Sequence, residues 1–190
     1  MELTRLRQAT EIQHRRVEQD LDLLRPAFTR HDYAALLRRF YGFHQSWEPV
    51  VASRLEPELP GFFAPRRKLQ YLEADLRYLG CETEDLLRIR ACPELPPLDS
   101  LGSVLGSLYV IEGSSLGGRI LTRHFAGHLG VGPDAGCRFF SGYGERTGLM
   151  WSAFGELAAS RPPAENDDML NGAISTFELL GEWLVNKVHA

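Results

Sequence analysis

The fold is decided by one stretch of the chain, Leu101-Gly102-Ser103-Val104-Leu105-Gly106-Ser107-Leu108-Tyr109-Val110-Ile111-Glu112-Gly113-Ser114-Ser115-Leu116-Gly117-Gly118-Arg119-Ile120-Leu121. Its apolar residues keep helical spacing, and Asp99-Ser100 before it suits the start of a helix. The stretch nevertheless carries five glycines, and each costs about 1 kcal/mol relative to alanine inside a helix. We therefore predict a helix over 100–129 whose missing side chains serve a purpose.

Two interpretations of these glycines remain open. Backbone without side chains from Gly113 to Gly118 would let a flat, bulky ligand lie directly against the helix. Alternatively, the glycines permit a tight helix crossing, or a loop that interrupts the helix. Taken alone, the glycines favour the second interpretation.

Helical periodicity also runs through the rest of the chain. Apolar spacing, capping residues and prolines predict further helices over 3–24, from Thr29 past Trp47, over 65–80, 82–90, 145–160 and 166–188. Pro49 is expected to kink or restart the second of these. Residues 130–143 are predicted to form a loop, and no strand pattern is found. The prediction is a single all-α helical bundle over residues 1–190.

The composition excludes several classes of protein. With 190 residues, 44% of them hydrophobic, the chain can bury one core. A net charge of −4 argues against nucleic-acid binding. The absence of a long apolar run or signal-peptide pattern predicts a cytoplasmic protein without a membrane partner. Three cysteines without C-x-x-C spacing argue against a disulfide framework or a thiolate zinc site.

One histidine has a distinctive position in the first predicted helix. His14 lies at the edge of the apolar stripe that includes Leu6 and Val17, so we expect it to face inward. A lone inward histidine is more often a core residue than a ligand. Arg7, however, lies on nearly the same face about 10 Å earlier along the axis. An imidazole for iron and a guanidinium for a carboxylate at that separation would suit haem, although an arginine such as Arg7, taken alone, is more often a solvated surface charge.

Rival chemistries find less support in the sequence. Glu11-Ile12-Gln13-His14 has the Glu-x-x-His spacing of di-iron bundles, but such a site needs a second copy. None of the other histidines has a glutamate three residues earlier; they are His31, His44, His124, His128 and His189. The run from Gly113 to Gly118 does not follow a strand, which argues against a dinucleotide site. A solvated surface is expected for the basic residues Arg38, Arg39, Arg66, Arg67, Lys68 and Arg77.

Two segments together resemble the haem oxygenases, and most of all the bacterial branch associated with bacteriophytochromes. Residues 6–14, Leu-Arg-Gln-Ala-Thr-Glu-Ile-Gln-His, resemble the family's proximal motif L-[KR]-x-A-T-x-x-x-H. Residues 109–118, Tyr-Val-Ile-Glu-Gly-Ser-Ser-Leu-Gly-Gly, resemble its glycine-rich distal helix. The resemblance covers essentially the whole chain. It implies a fold in which haem lies between a proximal and a distal helix.

The same resemblance assigns roles to particular residues. It implies that His14 is the axial iron ligand and that Gly113, Gly117 and Gly118 press on the distal face of haem. The chain departs from the family at two places. Ser114 stands where many members have an aspartate that holds a water network. Ser152 and Glu156 stand where many have a lysine and an arginine for the haem propionates, so that Arg7, Tyr109 or Arg146 would have to substitute.

The activity that the resemblance implies is cleavage of haem to biliverdin, carbon monoxide and ferrous iron. It uses O₂ and electrons from a separate donor, such as ferredoxin or a flavoprotein reductase, and a bacteriophytochrome would accept the biliverdin. Haem is both cofactor and substrate, and Gly113, Ser114 and Gly117 would form the catalytic surface. Two alternatives stay open: a haem carrier of the same fold that does not cleave haem, and a helical enzyme without haem that acts on thiamine or quinone-cofactor precursors.

Overall fold

The computed structural model describes residues 1–185. Its α-helices are α1 Leu3–Ala9, α2 Glu11–Leu21, α3 Arg30–Leu55, α4 Leu69–Tyr78, α5 Thr83–Arg88, α6 Leu101–Leu129, α7 Arg138–Ser141, α8 Thr147–Ser160 and α9 Asn166–Val185. Short 3₁₀ turns cover Ala64–Arg66, Gly144–Arg146 and Pro163–Glu165. The described residues contain no β-strand, only isolated bridges at Gly132. The predicted all-α class is confirmed.

The glycine-rich stretch forms one uninterrupted helix, α6. The Ser100 hydroxyl accepts a hydrogen bond from the Ser103 N–H at 3.1 Å and caps the first turn. The Ser100 hydroxyl also lies 2.7 Å from an Asp168 carboxylate oxygen, which ties the start of α6 to α9. Gly130, with φ of 67°, ends the helix in the left-handed conformation that glycine adopts easily. The predicted helix over 100–129 is therefore confirmed almost to the residue.

The long helix α6 lies at the centre of the fold, packed against α3, α7, α8 and most extensively α9. Its first three turns are almost wholly buried. The Trp47 indole N–H of α3 donates to the Ser107 hydroxyl at 2.8 Å, so the polar atom of this buried tryptophan is satisfied. Large buried side chains complete the core, among them Leu6, Tyr33, Leu37, Phe43, Phe63, Leu105, Phe125 and Phe154.

The first predicted helix, over 3–24, is wrong in one respect, because the chain forms two helices, α1 and α2. Thr10 separates them with φ of −106° and ψ of 7°. Its hydroxyl is buried and donates to the Leu6 carbonyl at 2.8 Å. A threonine side chain that bonds the preceding turn competes with regular helical geometry. The second helix ends at Leu21, followed by Asp22 in a left-handed conformation.

Two further boundaries differ from prediction. The helix α3 runs through Pro49 without restarting, and its predicted Thr29–Asp32 capping box is present. The helix predicted over 65–80 is instead a 3₁₀ turn followed by α4, because Arg67 is extended, with ψ of 135°. The short helix α7 lies in the predicted loop over 130–143. The predicted end of the last helix, beyond Val185, falls outside the described residues.

Within residues 1–185, no helix has the length and apolarity needed to cross a membrane. The single-domain organisation of residues 1–190 stays a prediction.

Candidate functional site

The five glycines of the deciding stretch fall into two groups. At three of them, neighbouring backbone occupies the place of a side chain. A Cβ on Gly106 would lie 1.9 Å from the Met169 carbonyl oxygen, and one on Gly118 would lie 2.0 Å from that of Phe140. Gly102 meets the turn before α9 in the same way. The tight-crossing interpretation is therefore right for these three, and the absence of a Gly118 side chain is explained by α7 rather than by a ligand.

The other two glycines are not explained by packing. A Cβ on Gly117 would meet nothing within 4 Å, and one on Gly113 would make only ordinary contact, 3.7 Å from the Trp151 ring. The same part of α6 leaves two large apolar side chains in solvent, Leu116 at 47% and Ile120 at 67% exposure. The helix thus presents bare backbone and apolar side chains together, which suits a flat apolar ligand.

His14 lies on α2, a helix that packs against α9, as α6 also does. Its ring meets Phe177 of α9 edge-on, with 5.6 Å between centroids. Its side chain is 54% exposed, so the predicted inward orientation is wrong: the ring lies against α9 but remains accessible. Nδ1 lies 3.6 Å from a Glu18 carboxylate oxygen. This leaves Nε2 as the nitrogen that could ligate a metal.

The end of α1 and its junction with α2 reach α6 at Tyr109. Burial raises the pKa of Tyr109, and Thr10 and Arg7 lie close enough to oppose that rise. Arg7 itself is exposed. Three residues are predicted to bind the propionates in place of a lysine and an arginine, and two of them, Arg7 and Tyr109, therefore lie close together. The third, Arg146, is exposed at the N-terminus of α8.

Ser114 is exposed on α6, one residue after Gly113. Its hydroxyl donates to the Ile111 carbonyl at 2.8 Å. The hydroxyl proton is therefore engaged, while the oxygen can still accept a hydrogen bond from water. On α8, the Ser152 hydroxyl lies 3.4 Å from a Glu156 carboxylate oxygen. Neither side chain carries a positive charge that could pair with a propionate.

Behind Gly113 lies a group of charged and polar side chains that sequence patterns do not reveal. Arg66 donates to a Glu112 carboxylate oxygen at 2.6 Å, and the Tyr143 hydroxyl donates to the other at 2.5 Å. The Lys68 ammonium lies 3.4 Å from the centroid of the Tyr143 ring. We refer to Arg66, Lys68, Glu112 and Tyr143 as the buried cluster.

The expectation that Arg66 and Lys68 belong to a solvated face is wrong, because both are at most 3% exposed. The extended Arg67 between them turns outward, so alternate residues point into the protein. The sequence alone does not reveal that alternate residues point inward here. Helical periodicity predicts a continuous helix through Pro65-Arg66-Arg67-Lys68, and the alternation becomes visible only once the break in that helix is known.

The electrostatics of the buried cluster follow from its burial. Burial raises the pKa of Glu112, and Tyr143, Arg66 and Lys68 offset this only in part. Burial also lowers the pKa of Lys68 to about 8, against the opposing influence of Glu112. The pKa of Tyr143 is raised by burial and by the neighbouring Glu112 carboxylate. Two acids and two bases are thus held in a dry environment where each depends on the others.

Two surface grooves flank the candidate site. One of about 540 Å³ lies between α2 and α9 and is lined in part by Phe177, which touches His14. The other, of about 420 Å³, lies between α1 and α8 and is lined in part by Trp151, which borders Gly113. Among the described residues, no group of three or more histidine, cysteine or acidic side chains is arranged to hold a metal ion.

Comparison with known proteins gives a consistent result. Over 91 residues the chain is 36% identical to a Heme oxygenase from Xanthomonas campestris pv. campestris (strain 8004); that match spans 48% of this chain and 51% of the relative. The fold resembles the NO- and CO-bound heme oxygenase from Neisseria meningitidis, with a TM-score of 0.77 and 23% identity over 99% of this chain and 94% of the other.

Two other solved structures share the fold. The heme oxygenase from Leptospira interrogans has a TM-score of 0.75 and 20% identity, covering 97% of this chain and 99% of its own. Heme oxygenase 2 from Chlamydomonas reinhardtii, solved without heme, has a TM-score of 0.76 and 20% identity, covering 97% and 96%. Residues 2–186 match the protein family described as Heme oxygenase. The chain therefore belongs to the haem oxygenase family.

Proposed function

We propose that this protein binds haem against α2 and α6 and cleaves it to biliverdin, carbon monoxide and ferrous iron. O₂ and electrons from a separate donor, ferredoxin or a flavoprotein reductase, would complete the reaction. The observation that carries the proposal is the pair of unpacked glycines, Gly113 and Gly117, on the exposed apolar part of α6. Membership of the family supports haem as the ligand.

His14 would hold the iron. Its side chain is accessible, and Glu18 faces Nδ1, which leaves Nε2 for the metal. At 3.6 Å the Glu18 carboxylate is beyond hydrogen-bond distance, but it lies on the side of the second ring nitrogen, where a carboxylate can orient a ligating imidazole. When bound, haem supplies the iron on which O₂ is activated. Phe177 supports one edge of the imidazole ring and limits its rotation.

Arg7, in the last turn of α1, and Tyr109 of α6 would bind the polar edge of haem. Arg7 is exposed and lies near the buried Tyr109. A guanidinium with a nearby phenol matches the hydrogen-bonding needs of a propionate carboxylate. Arg146, at the start of α8, would be a further anchor. The groove between α1 and α8 offers Ser152 and Glu156 instead of cations, so we do not assign it to the propionates.

The distal surface would be formed by Gly113, Ser114 and Gly117. Bare backbone at the two glycines lets the macrocycle approach α6 closely. The Ser114 oxygen retains free lone pairs and can hold a water that delivers protons. Gly118 would contribute indirectly, because its contact with Phe140 holds α6 against α7.

The engaged hydroxyl of Ser114 also favours a second candidate function, that of a haem carrier which does not cleave its ligand. A hydroxyl whose proton is bonded to the Ile111 carbonyl offers a water network fewer hydrogen-bonding sites than the carboxylate that many relatives have at this position. The carrier would bind haem in the same place, the cleft between α2 and α6, and through the same His14. It would differ only in the fate of the bound haem, which would be released intact.

One experiment tests both functions. Purified protein is titrated with hemin, and the complex is then supplied with a reductase system and O₂ while the products are separated by chromatography. We expect saturable one-to-one binding, then loss of the Soret band and appearance of biliverdin. Intact haem after reduction would support the carrier, and absence of saturable binding would refute both functions. Biliverdin formed equally well by His14→Ala would refute the proposed iron ligand.

A further inference from the structure

The buried cluster makes a specific connection between α6, which carries the proposed distal haem surface, and α8, whose Trp151 borders Gly113. The Arg66 guanidinium donates to Glu112 of α6 at 2.6 Å. Through Nη1 and Nη2 it also reaches the Met150 carbonyl oxygen of α8, at 3.3 Å in each case. Arg66 itself comes from the 3₁₀ turn before α4. A single side chain from a third element therefore bridges α6 and α8.

The two residues bound by Arg66 immediately precede two residues that lie against each other, Gly113 and Trp151. Glu112 precedes Gly113, and Met150 precedes Trp151. The place of a Cβ on Gly113 lies 3.7 Å from the Trp151 ring. Trp151 also packs against Tyr109, with 5.7 Å between ring centroids. The bridge thus lies directly behind the contact between the indole and the bare backbone.

We propose that Arg66 is a positioning residue, which holds Trp151 of α8 against Gly113 of α6 and so keeps the proposed distal haem surface in place. The ligand named here rests on the proposed function, whereas the bridge itself does not. Arg66 does not touch the cleft: its side chain is buried, and its guanidinium lies 4.2 Å over the Phe62 ring. It acts through Glu112 and Met150.

Only a forked cation fits this role. Guanidinium presents several N–H groups in a fixed plane and can bind a carboxylate and a carbonyl together, whereas an ammonium acts as a point charge. Tyr143 occupies the second oxygen of Glu112, at 2.5 Å, so the carboxylate cannot turn to follow a displaced partner. Loss of the fork should therefore free α8 relative to α6.

Two variants test the proposal. Arg66→Lys keeps a positive charge opposite Glu112 but gives up the fork. The double variant Arg66→Met with Glu112→Gln removes both charges, so that no unpaired carboxylate is left in the core. If the double variant fails to fold, Arg66→Lys still gives the answer. Leu86→Ala, a buried substitution on α5 away from the cleft, serves as a control for general loss of stability.

The first measurement is hydrogen exchange on the apo-protein, which does not involve haem. In both Arg66 variants we expect amide exchange over 147–154 and 113–117 to be at least tenfold faster than in the wild type. In Leu86→Ala these two segments should show no acceleration beyond that of other segments. The second is hemin titration, where we expect at least a tenfold loss of affinity. Wild-type exchange rates at these segments in both variants, or the same acceleration in Leu86→Ala, would overturn the proposal. Wild-type protein that binds no hemin would instead refute the proposed function and leave the exchange result standing.

Discussion

The imidazole of His14 meets the ring of Phe177 edge-on, with the ring centroids 5.6 Å apart and the planes perpendicular. The contact joins the helix proposed to hold iron to α9, which also supports α6. It fixes one side of the histidine ring and leaves the other accessible, since the side chain is 54% exposed.

His14→Ala should therefore abolish the axial coordination of ferric haem with little effect on the fold. A half-exposed side chain contributes little to stability, so the apo-protein should keep its free energy of unfolding within about 0.5 kcal/mol. The Soret band and the resonance Raman signature of the iron–histidine bond report the coordination, and a thermal melt reports the fold. An unchanged axial signature would contradict the assignment and make His44 or His124 the next candidates.

Gly117→Leu and Gly118→Ala should have opposite effects. At Gly117 the added side chain enters open space and improves helix preference by a sizeable fraction of about 1 kcal/mol, so the apo-protein should lose no stability while hemin affinity falls at least tenfold. At Gly118 the methyl group would lie 2.0 Å from the Phe140 carbonyl oxygen, and the resulting strain should cost about 1–3 kcal/mol. Apo-protein melts beside hemin titrations measure both. A destabilised Gly117→Leu that binds hemin normally would show that Gly117 also serves packing.

The stability of the protein should increase with pH through the titration of Lys68. Burial lowers its pKa from 10.5 to about 8. Between these two values the unfolded chain keeps a proton that the folded protein has lost, so the free energy of unfolding rises with pH. The free energy of unfolding is measured in urea for the wild type and for Lys68→Met from pH 7 to pH 10. The difference, wild type minus variant, should rise by about 2–3 kcal/mol. Arg67 is an exposed neighbour, so the stability difference between the wild type and Arg67→Met should not change with pH. If the difference for Lys68→Met did not change with pH either, Lys68 would keep its charge in the folded protein.

Ser114→Ala should separate binding from turnover. The serine is exposed, and its hydroxyl bonds only the local Ile111 carbonyl. Hemin affinity should therefore stay within twofold of the wild type, and the free energy of unfolding of the apo-protein within about 0.5 kcal/mol. If its oxygen holds the water that delivers protons, the rate of biliverdin formation should fall about tenfold or more. Single-turnover kinetics measure the rate, with Ser115→Ala as the neighbouring control. Equal rates in Ser114→Ala and the wild type would remove Ser114 from the proton path.

Sequence patterns were sufficient where a local signal acts alone. Ser100 as a cap and Gly130 as a terminator define α6 without reference to the rest of the fold, and the helix lies where they predict it. The break at Thr10 was missed because a buried threonine hydroxyl and an exposed one look identical in a sequence.

The candidate site was predictable only in part for the same reason. The motif around His14 identifies the residue, but its exposure depends on how α2 packs against α9. Gly117 and Gly118 are adjacent and chemically identical, yet only the tertiary position of Phe140 separates a packing glycine from an open one. The buried cluster was missed because Arg66 and Lys68 become interior residues only through the extended conformation of Arg67.

The close contact between α6 and α9 has a consequence for how the cleft can respond to a ligand. A Cβ on Gly106 would strike the Met169 carbonyl, and one on Gly172 would strike that of Ser103, so these two helices touch backbone to backbone in both directions. Such a contact has no side-chain rotamers through which to adjust. The wall formed by α6 and α9 is therefore rigid, and any adjustment to differently shaped tetrapyrroles would have to come from α1 and α2, which are separated by the non-helical Thr10.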